Sequence, residues 1–346
     1  MKTNWCAAFQ IAAVYVGTVV GAGFATGREI VEFFSRFGFI GLVGMLMAGY
    51  MLIFLGTKIM VISAKIKAKS YEEFNEFLFG KSIGKFINII TLFMLLGVSA
   101  VMLAGAGAVF EEQLGLNKMA GIVLTIILSF VVMAVGTKAL FAVNTFVVPL
   151  MIGFCLILFL LSIKLPTFME QLLYIPYVQD GWSAVISPFS YTAFNLSLAQ
   201  AVLVPIASEI KDIKTIKRGG MLGGAALTVI LITSHMTLVM LPNVAAYEIP
   251  MAIIMRALAP GLFWIYVLII YGEIFTSVIG NIYGLEKQIK QYIDLPKMVI
   301  VTGIFFICYL LSLFDYGRLL SYLYPLFGNI SLLFIVLLWM KSENKK

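Results

Sequence analysis

The sequence predicts an all-α integral membrane protein with ten transmembrane helices in two sets of five. Hydrophobic residues make up 62% of the 346 residues and charged residues only 12%, against roughly 45–50% and about 25% in soluble domains. The charges stand between long uncharged runs, each long enough to cross a bilayer as a helix. Little chain is left for a separate aqueous domain, so residues 1–346 are predicted to form one transmembrane domain.

Ten apolar runs between charges and turn residues define the predicted spans. They lie at 7–35, 39–64, 84–110, 119–137, 140–163, 184–211, 219–241, 261–285, 297–314 and 319–340. The two five-helix halves are then 7–163 and 184–340.

Lys and Arg concentrate in alternate connections between these spans. This agrees with the positive-inside rule if both termini are cytoplasmic, which requires an even number of spans. We therefore expect a multi-pass protein of the cytoplasmic (cell) membrane. The basic excess, 24 against 17 acidic residues, does not then indicate a nucleic-acid partner. A signal peptide is disfavoured because only Lys2 precedes the apolar run and the helical pattern continues past Phe24.

Three connections have features of their own. Segment 70–80 is too short and too charged to span, and its apolar residues recur at helical spacing, which predicts an amphipathic helix at the cytoplasmic interface. The longer connections 164–183 and 242–260 carry prolines and are candidate lids.

The composition also argues against an enzyme or a metal centre. The three cysteines are far apart in the sequence and His235 is the single histidine, so neither a disulfide framework nor a His-based metal site is predicted. No His/Cys cluster or close carboxylate pair falls at mid-membrane depth. We interpret His235 as a hydrogen-bonded interior residue rather than a proton relay.

Two predicted spans in matching places carry helix-breaking residues. The first contains Gly17, Gly21 and Gly23, and a glycine costs about 1 kcal/mol in a helix interior. The sixth contains Pro188 and Pro205 among several polar residues. Interrupted helices at corresponding positions indicate an inverted-repeat secondary transporter with its site at the breaks, where half-helix ends suit a zwitterion. Close helix packing through glycine is the alternative explanation.

The eighth span carries a polar stripe on one helical face. Its members are Glu273, Thr276, Ser277, Gly280, Asn281 and Gly284. Such a face must point into the bundle, and an ionisable group there is by default a functional candidate. Its oxygens suit sodium, a lone buried carboxyl also suits a proton, and a glutamate that braces helix packing is the alternative.

Residues 17–29, GTVVGAGFATGRE, resemble the start of the bacterial YkvI-like membrane proteins, within the amino acid-polyamine-organocation (APC) superfamily. The ten-span plan extends the resemblance over nearly the whole chain. It implies the LeuT-type fold, in which the two five-helix halves are inverted repeats and helices one and six are broken at mid-membrane.

The resemblance also implies a sodium site between spans one and eight. Its ligands would be the carbonyls of Gly17, Val20 and Glu273 and the hydroxyls of Thr276 and Ser277. Sodium-coupled relatives usually have a small residue where Glu273 stands, which leaves proton coupling open. Some proton-coupled relatives place a lysine in mid-helix five, but none lies between Lys138 and Lys164, so sodium is the first choice.

Substrate and gate residues follow from the same resemblance. Substrate would contact the backbone of Gly21, Ala22 and Gly23 and the region of Phe24, Tyr191, Phe194 and Asn195. An outer gate would pair Arg28, Glu29 and Glu32 with Asp315 and Arg318. Ordinary packing of the two phenylalanines and solvated surface charge are the alternatives.

The predicted function is secondary active import of a small amino acid, or a related amine or zwitterion, coupled to sodium. One alternative is proton coupling through Glu273; another is a permease-like solute sensor without sustained transport. Beyond the coupling ion, no cofactor is expected, and the partners are a small-molecule solute and the lipid bilayer.

Overall fold

The computed structural model describes residues 4–135, 138–177, 181–210 and 212–341, and every regular element within these ranges is a helix. The ends of the predicted domain, 1–3 and 342–346, and with them Lys2, lie outside the described residues. Six apolar helical stretches have the length and hydropathy of membrane spans: Phe39–Ile66, Lys81–Gln113, Gly181–Glu209, Ile213–Leu238, Pro260–Lys290 and Tyr316–Met340. Four shorter apolar helices are Trp5–Val19, Lys118–Ala134, Pro149–Ser162 and Lys297–Ser312. Each of these ten overlaps one predicted span, and the prediction of a helical multi-pass membrane protein is confirmed.

The first span is broken, as its glycines predict. It consists of α1 (Trp5–Val19), α2 (Ala22–Thr26) and α3 (Arg28–Phe33). A second irregularity lies between α2 and α3, where the backbone of Gly27 has a left-handed conformation with φ 81°. The second span consists of α4 (Phe39–Met51), a π-helical turn (Leu52–Gly56) and α5 (Thr57–Ile66).

The segment after the second span forms the predicted amphipathic helix, α6 (Tyr71–Phe79). Its N-cap is Ser70, whose hydroxyl accepts the Glu73 N–H at 3.3 Å, and it buries Phe74 and Leu78. Three helices follow: α7 (Lys81–Ala108), extended by a π-helical turn (Val109–Gln113), α8 (Lys118–Val135) and α9 (Lys138–Ser162).

The second half begins with the short α10 (Phe168–Leu173). Its remaining helices are α11 (Gly181–Glu209), α12 (Ile213–Leu238), α13 (Pro250–Leu258), α14 (Phe263–Tyr292), α15 (Lys297–Ser312) and α16 (Tyr316–Met340). Short 3-10 turns lie at Ser35–Phe37, Val244–Ala246 and Pro260–Leu262.

The predicted break in the sixth span is wrong, because α11 runs uninterrupted from Gly181 to Glu209. Each proline removes one backbone hydrogen bond and crowds the preceding turn, yet the helix continues through both Pro188 and Pro205. Around Pro188, packing against α16, α5 and α4 holds the helix together. The Thr192 hydroxyl adds a bond to the Pro188 carbonyl at 2.8 Å.

Helix α12 packs on two neighbours through two glycine faces. A Cβ at Gly219 would lie 2.6 Å from Ile11 Cβ of α1, and one at Gly224 would lie 2.6 Å from Ile53 Cα of the π-helical turn. Gly223 and Gly220 extend the same two faces. Because only glycine permits these approaches, α12 joins α1 to the second span.

The π-helical turn of the second span accommodates a ring from α1. Tyr15 is fully buried and its hydroxyl donates to the Leu52 carbonyl at 2.8 Å. Gly56 leaves space for the ring, since a Cβ there would lie 2.5 Å from Tyr15 Cζ. We call α1, the second span and α12 the tyrosine block.

Candidate functional site

The centre of the candidate site is the break between α1 and α2. Val20 (φ −74°, ψ 100°) and Gly21 (φ −121°, ψ −167°) are extended. The Val20 N–H still closes the last turn of α1, and bonding resumes where Phe24 and Ala25 donate to the Gly21 carbonyl at 3.0 and 2.9 Å. Among the described residues, the N–H groups of Gly21, Ala22 and Gly23 have no backbone hydrogen-bond partner. The same is true of the Gly17 and Val20 carbonyls.

Helix α14 faces this break, as predicted. A Cβ on Gly21 would lie 3.6 Å from Ser277 Oγ, so the hydroxyl faces the unwound backbone across a space about as wide as a methyl group. The neighbouring Thr276 is buried, and its hydroxyl donates to the Glu273 carbonyl at 3.2 Å. The structure therefore brings the predicted hydroxyls of α14 to the first-span break.

The carboxyl group of Glu273 lies one turn from these hydroxyls. The residue is only 2% exposed, and its Oε1 has no hydrogen-bond partner in the described part of the chain. Since α14 packs against α7 and α9, this carboxyl is enclosed within the bundle. Ionising an enclosed carboxyl without a polar partner costs free energy, and binding a cation or a proton removes that cost.

Glu29, predicted in an outer gate, lies in the central site instead, so this assignment is wrong. The residue is 5% exposed, and Oε1 accepts a hydrogen bond from Asn195 Nδ2 at 3.0 Å. A Cβ on Gly23 would lie 2.6 Å from its Oε2. The left-handed Gly27 between the two short helices changes the direction of α3 and turns this carboxylate towards α2.

Arg28 also departs from the predicted ion-pair gate. Its Nη1 donates to the carbonyls of Ala245 at 2.5 Å and Tyr247 at 2.8 Å. The guanidinium lies against α16 at Gly317, where a Cβ would be 2.9 Å from Arg28 Cζ. Arg28 thus secures the connection before α13 instead of binding Asp315.

The remaining gate residues form separate pairs, so the prediction of an ion-paired outer gate is wrong. Glu32 bonds Arg36 Nη1 at 2.6 Å and accepts the Ser321 hydroxyl at 2.7 Å. Asp315 lies 3.4 Å from Arg318 Nε, and their side chains are 55% and 79% exposed. Exposed charges gain little from pairing, so Asp315 and Arg318 fit the alternative of solvated surface charge.

The predicted aromatic residues form the walls of the site. Phe24, Tyr191 and Phe194 are buried. The Phe194 ring lies 4.5 Å from that of Tyr324 on α16, and the Tyr191 ring lies edge-on to Phe33 at 5.4 Å. Phe194 and Tyr191 therefore pack on other aromatic rings, on the same helix as Asn195.

A cavity of about 200 Å³ opens near the C-terminal end of α3. Its lining residues come from α3, the following 3-10 turn, α11 and α16: Glu32, Phe33, Arg36, Ser183, Ile186, Ser187, Ser190, Pro325 and Asn329. Across it, Ser190 donates to Asn329 Oδ1 at 2.6 Å. Along α3 and α11, these residues begin about one helical turn from Glu29 and Asn195.

His235 is fully buried on α12 and lies 3.0 Å from the Ser35 hydroxyl through Nδ1. This contact agrees with its interpretation as a hydrogen-bonded interior residue.

Three tyrosines around α2 were not expected from the sequence. Tyr266 donates to the Ala25 carbonyl at 3.0 Å, the Tyr316 hydroxyl lies 2.8 Å from Thr26 Oγ1, and Tyr324 contacts Gly23. Their only sequence signal is a phenol within an apolar span, which requires a polar partner when buried.

No family model matches the chain. The uncharacterized membrane protein YkvI of Bacillus subtilis (strain 168) is 50% identical over 347 residues, covering 100% of this chain and 99% of the relative. The protein YyaD of the same organism is 24% identical over 335 residues, covering 96% of each chain.

Solved transporters share the fold. A manganese transporter of Eremococcus coleocola, in complex with an aromatic bis-isothiourea substituted compound, superposes with a TM-score of 0.60 at 14% identity, covering 96% of this chain and 78% of the transporter. A Na⁺-coupled sialic acid symporter in a substrate-bound outward-open state gives 0.65 at 14% identity, covering 96% and 79%. At this identity the likeness defines the fold alone.

Fold and apolar helices together define a multi-pass membrane protein that shares the fold of these solved transporters. Half of its residues are identical to those of one relative over the full length of the chain. The chain belongs to the YkvI family of bacterial membrane proteins.

Proposed function

We propose that this protein is a secondary active transporter that imports a small amino acid, or a related amine or zwitterion, by alternating access. The observation that carries the proposal is the unwound Val20–Gly21 segment, where Val20 is buried and Gly21 faces Ser277 of α14. Unwound backbone at membrane depth is stable only where protein, water or a ligand satisfies its polar groups. A solute and a coupling ion are suitable partners for these groups.

The proposed architecture is the LeuT-type arrangement of ten spans, with 7–163 and 184–340 as inverted repeats. The long and short apolar helices match the ten positions this arrangement needs. The charge distribution of the connections supports a cytoplasmic-membrane location with both termini inside.

The moving body in this proposal consists of the tyrosine block together with α11. Close packing of α12 on α1 and on the second span favours their movement as one unit. Ser277 belongs to the facing body, in which α14 packs against α7 and α9. The break thus lies at the boundary between the two bodies, where a solute site would open alternately to each side.

Sodium is the proposed coupling ion. The carbonyls of Gly17 and Val20 lack backbone partners among the described residues, and the Ser277 and Thr276 hydroxyls and the Glu273 carbonyl lie on the facing helix. Oxygen donors of this kind suit a hard cation. The solute would occupy the space between the same break and α11.

Uptake by reconstituted vesicles tests the proposal. We expect accumulation of labelled amino acids or amines to require an inward sodium gradient, and the paired substitutions Thr276→Ala and Ser277→Ala to abolish that requirement or the uptake itself. Thr302→Ala is the matched control, since Thr302 bonds its own helix on the exposed face of α15. Unchanged sodium dependence in the paired variant would exclude this ion site.

Proton coupling is the second candidate, and the enclosed Glu273 carboxyl favours it. Uptake that ignores sodium and follows an imposed pH gradient, with loss of that response in Glu273→Gln, would assign the coupling to this carboxyl.

A further inference from the structure

We infer that the carboxylate of Glu29 binds the positively charged amino group of the solute. The recognised feature is therefore an ammonium group, and a solute carboxylate is not required. This inference rests on the proposed function, because it places the ammonium group at the first-span break.

The position of Glu29 is the first support. Its carboxylate lies between three helices and is close to Gly23 of α2, Asn195 of α11 and Tyr324 of α16. The Gly23 site has no room for a side chain, because a Cβ would lie 2.6 Å from Glu29 Oε2 and 3.4 Å from Tyr324 Cε2. The carboxylate thus lies directly beside the half-helix that follows the break.

The second support is the lack of a compensating cation. Arg28, its neighbour in sequence, is directed away to the carbonyls of Ala245 and Tyr247. Arg36 bonds Glu32, one turn further out. Among the described contacts of Glu29, the hydrogen-bond donor is the neutral amide of Asn195. A buried carboxylate with only neutral partners is costly, and a cationic ligand relieves that cost.

The third support is aromatic. Tyr324 stands beside the carboxylate, and its ring lies 4.5 Å from Phe194, which precedes Asn195 on α11. Ring faces attract organic ammonium groups, and a carboxylate surrounded by aromatic rings is a suitable site for them.

The same walls disfavour an inorganic ion at this position. Metal ions prefer a shell of oxygen or nitrogen ligands. Glu29 offers one carboxylate and one amide neighbour, and the described residues contain no group of three or more His, Cys, Asp or Glu that could hold a metal. The oxygen-rich position beside Ser277 suits sodium better.

Ligand-induced thermal shifts of the purified full-length protein test the inference. The probes are matched sets of amino acid, amine and acid: leucine, 3-methylbutylamine and 4-methylpentanoate; and phenylalanine, phenethylamine and 3-phenylpropanoate. We expect the amines and amino acids to raise the unfolding temperature, while the acids do not. A bound ligand stabilises the folded protein by an amount that grows with the logarithm of its concentration divided by Kd, so tighter binding gives a larger shift.

Variants then identify the carboxylate. Loss of a charge-assisted hydrogen bond should weaken ammonium binding about 10- to 100-fold in Glu29→Gln. Glu29→Asp, which keeps the charge, should still distinguish amines from acids even if binding weakens. Glu111→Gln, at an exposed carboxylate, is the matched control and should bind as the parent protein does.

Several outcomes would overturn the inference: undiminished amine binding by Glu29→Gln, no shift with any amine or amino acid, or a shift with the acids alone. A shift with NaCl or MnCl₂ alone that Glu29→Gln abolishes would assign the carboxylate to an inorganic cation and also overturn it. If Glu29→Gln fails to fold, the parent protein's acid-versus-amine comparison and the Glu29→Asp variant can still overturn the inference. Binding with the expected selectivity but without vesicle uptake would refute the proposed transport and leave the inference standing.

Discussion

The glycine faces of α12 give a direct test of the packing. Substituting Gly224→Ala places a methyl group 2.6 Å from Ile53 Cα and 2.8 Å from Ile53 N. Both are backbone atoms, so no side-chain rotation can relieve the contact. The two helices must separate by about 1 Å to reach the ~3.5–4.0 Å optimum for carbon atoms.

The expected magnitude has two terms. Overpacking of a close contact costs roughly 1–3 kcal/mol, and an unyielding backbone contact belongs at the upper end of that range. Alanine has a higher helix propensity than glycine, which stabilises the variant by about 1 kcal/mol. We therefore expect Gly224→Ala to lower the free energy of unfolding by about 1–2 kcal/mol.

Gly303→Ala on α15 is the matched control, since a Cβ there meets nothing within 4 Å. It should be neutral or stabilising by up to about 1 kcal/mol. Denaturation of both variants in detergent micelles, monitored by circular dichroism, gives the comparison. Equal effects of the two substitutions would refute the assignment of Gly224 to a close helix contact.

Three further predictions concern other contacts. Arg28→Lys cannot reproduce the two carbonyl bonds of the guanidinium, so amide hydrogen exchange in segment 243–249 should accelerate; unchanged protection would contradict the role of Arg28. Tyr15→Phe leaves the Leu52 carbonyl of the π-helical turn without its donor and should destabilise by about 1–3 kcal/mol in the same denaturation assay. A hydrogen bond from the side chain of Thr215 lowers the pKa of Asp212, the N-cap of α12. The ionised Asp212 therefore stabilises the folded protein above the ordinary aspartate pKa, and this stabilisation is lost as the pH falls through the lower pKa of the folded state. Asn caps a helix without titrating, so the unfolding midpoint of Asp212→Asn should fall less on acidification than that of the parent protein.

The first-span break was predictable because Gly17, Gly21 and Gly23 weaken a helix by local physics alone. The polar face of α14 was equally accessible, since Ser277 follows from helical periodicity. In contrast, Pro188 was misinterpreted as a break because a proline's cost depends on the packing around it, which sequence spacing does not contain.

Glu29 shows a different kind of failure. A straight helical projection from Gly21 leaves this residue on the outer half of the span. The left-handed Gly27 changes the direction of the chain between α2 and α3, and no periodicity rule includes that change. The π-helical turn that accommodates Tyr15 was missed for the same reason, since one extra residue in a turn leaves an apolar pattern almost unaltered.

The connection between α12 and α13 is hydrogen-bonded to the first span, to α16 and to the π-helical turn that extends α7. Ala245 and Tyr247 accept from Arg28 on α3, Glu248 accepts the Gly317 N–H of α16, and the Ile249 N–H donates at 2.8 Å to Glu112 beyond α7. If opening at this end breaks the two guanidinium bonds without replacement, at about 1.5–3 kcal/mol each, and the two states are otherwise equal in energy, the open state is populated by about one molecule in two hundred to one in twenty-five thousand. In the proposed cycle, the resting protein is therefore sealed at this end, and exchange with the adjoining solution is confined to brief openings.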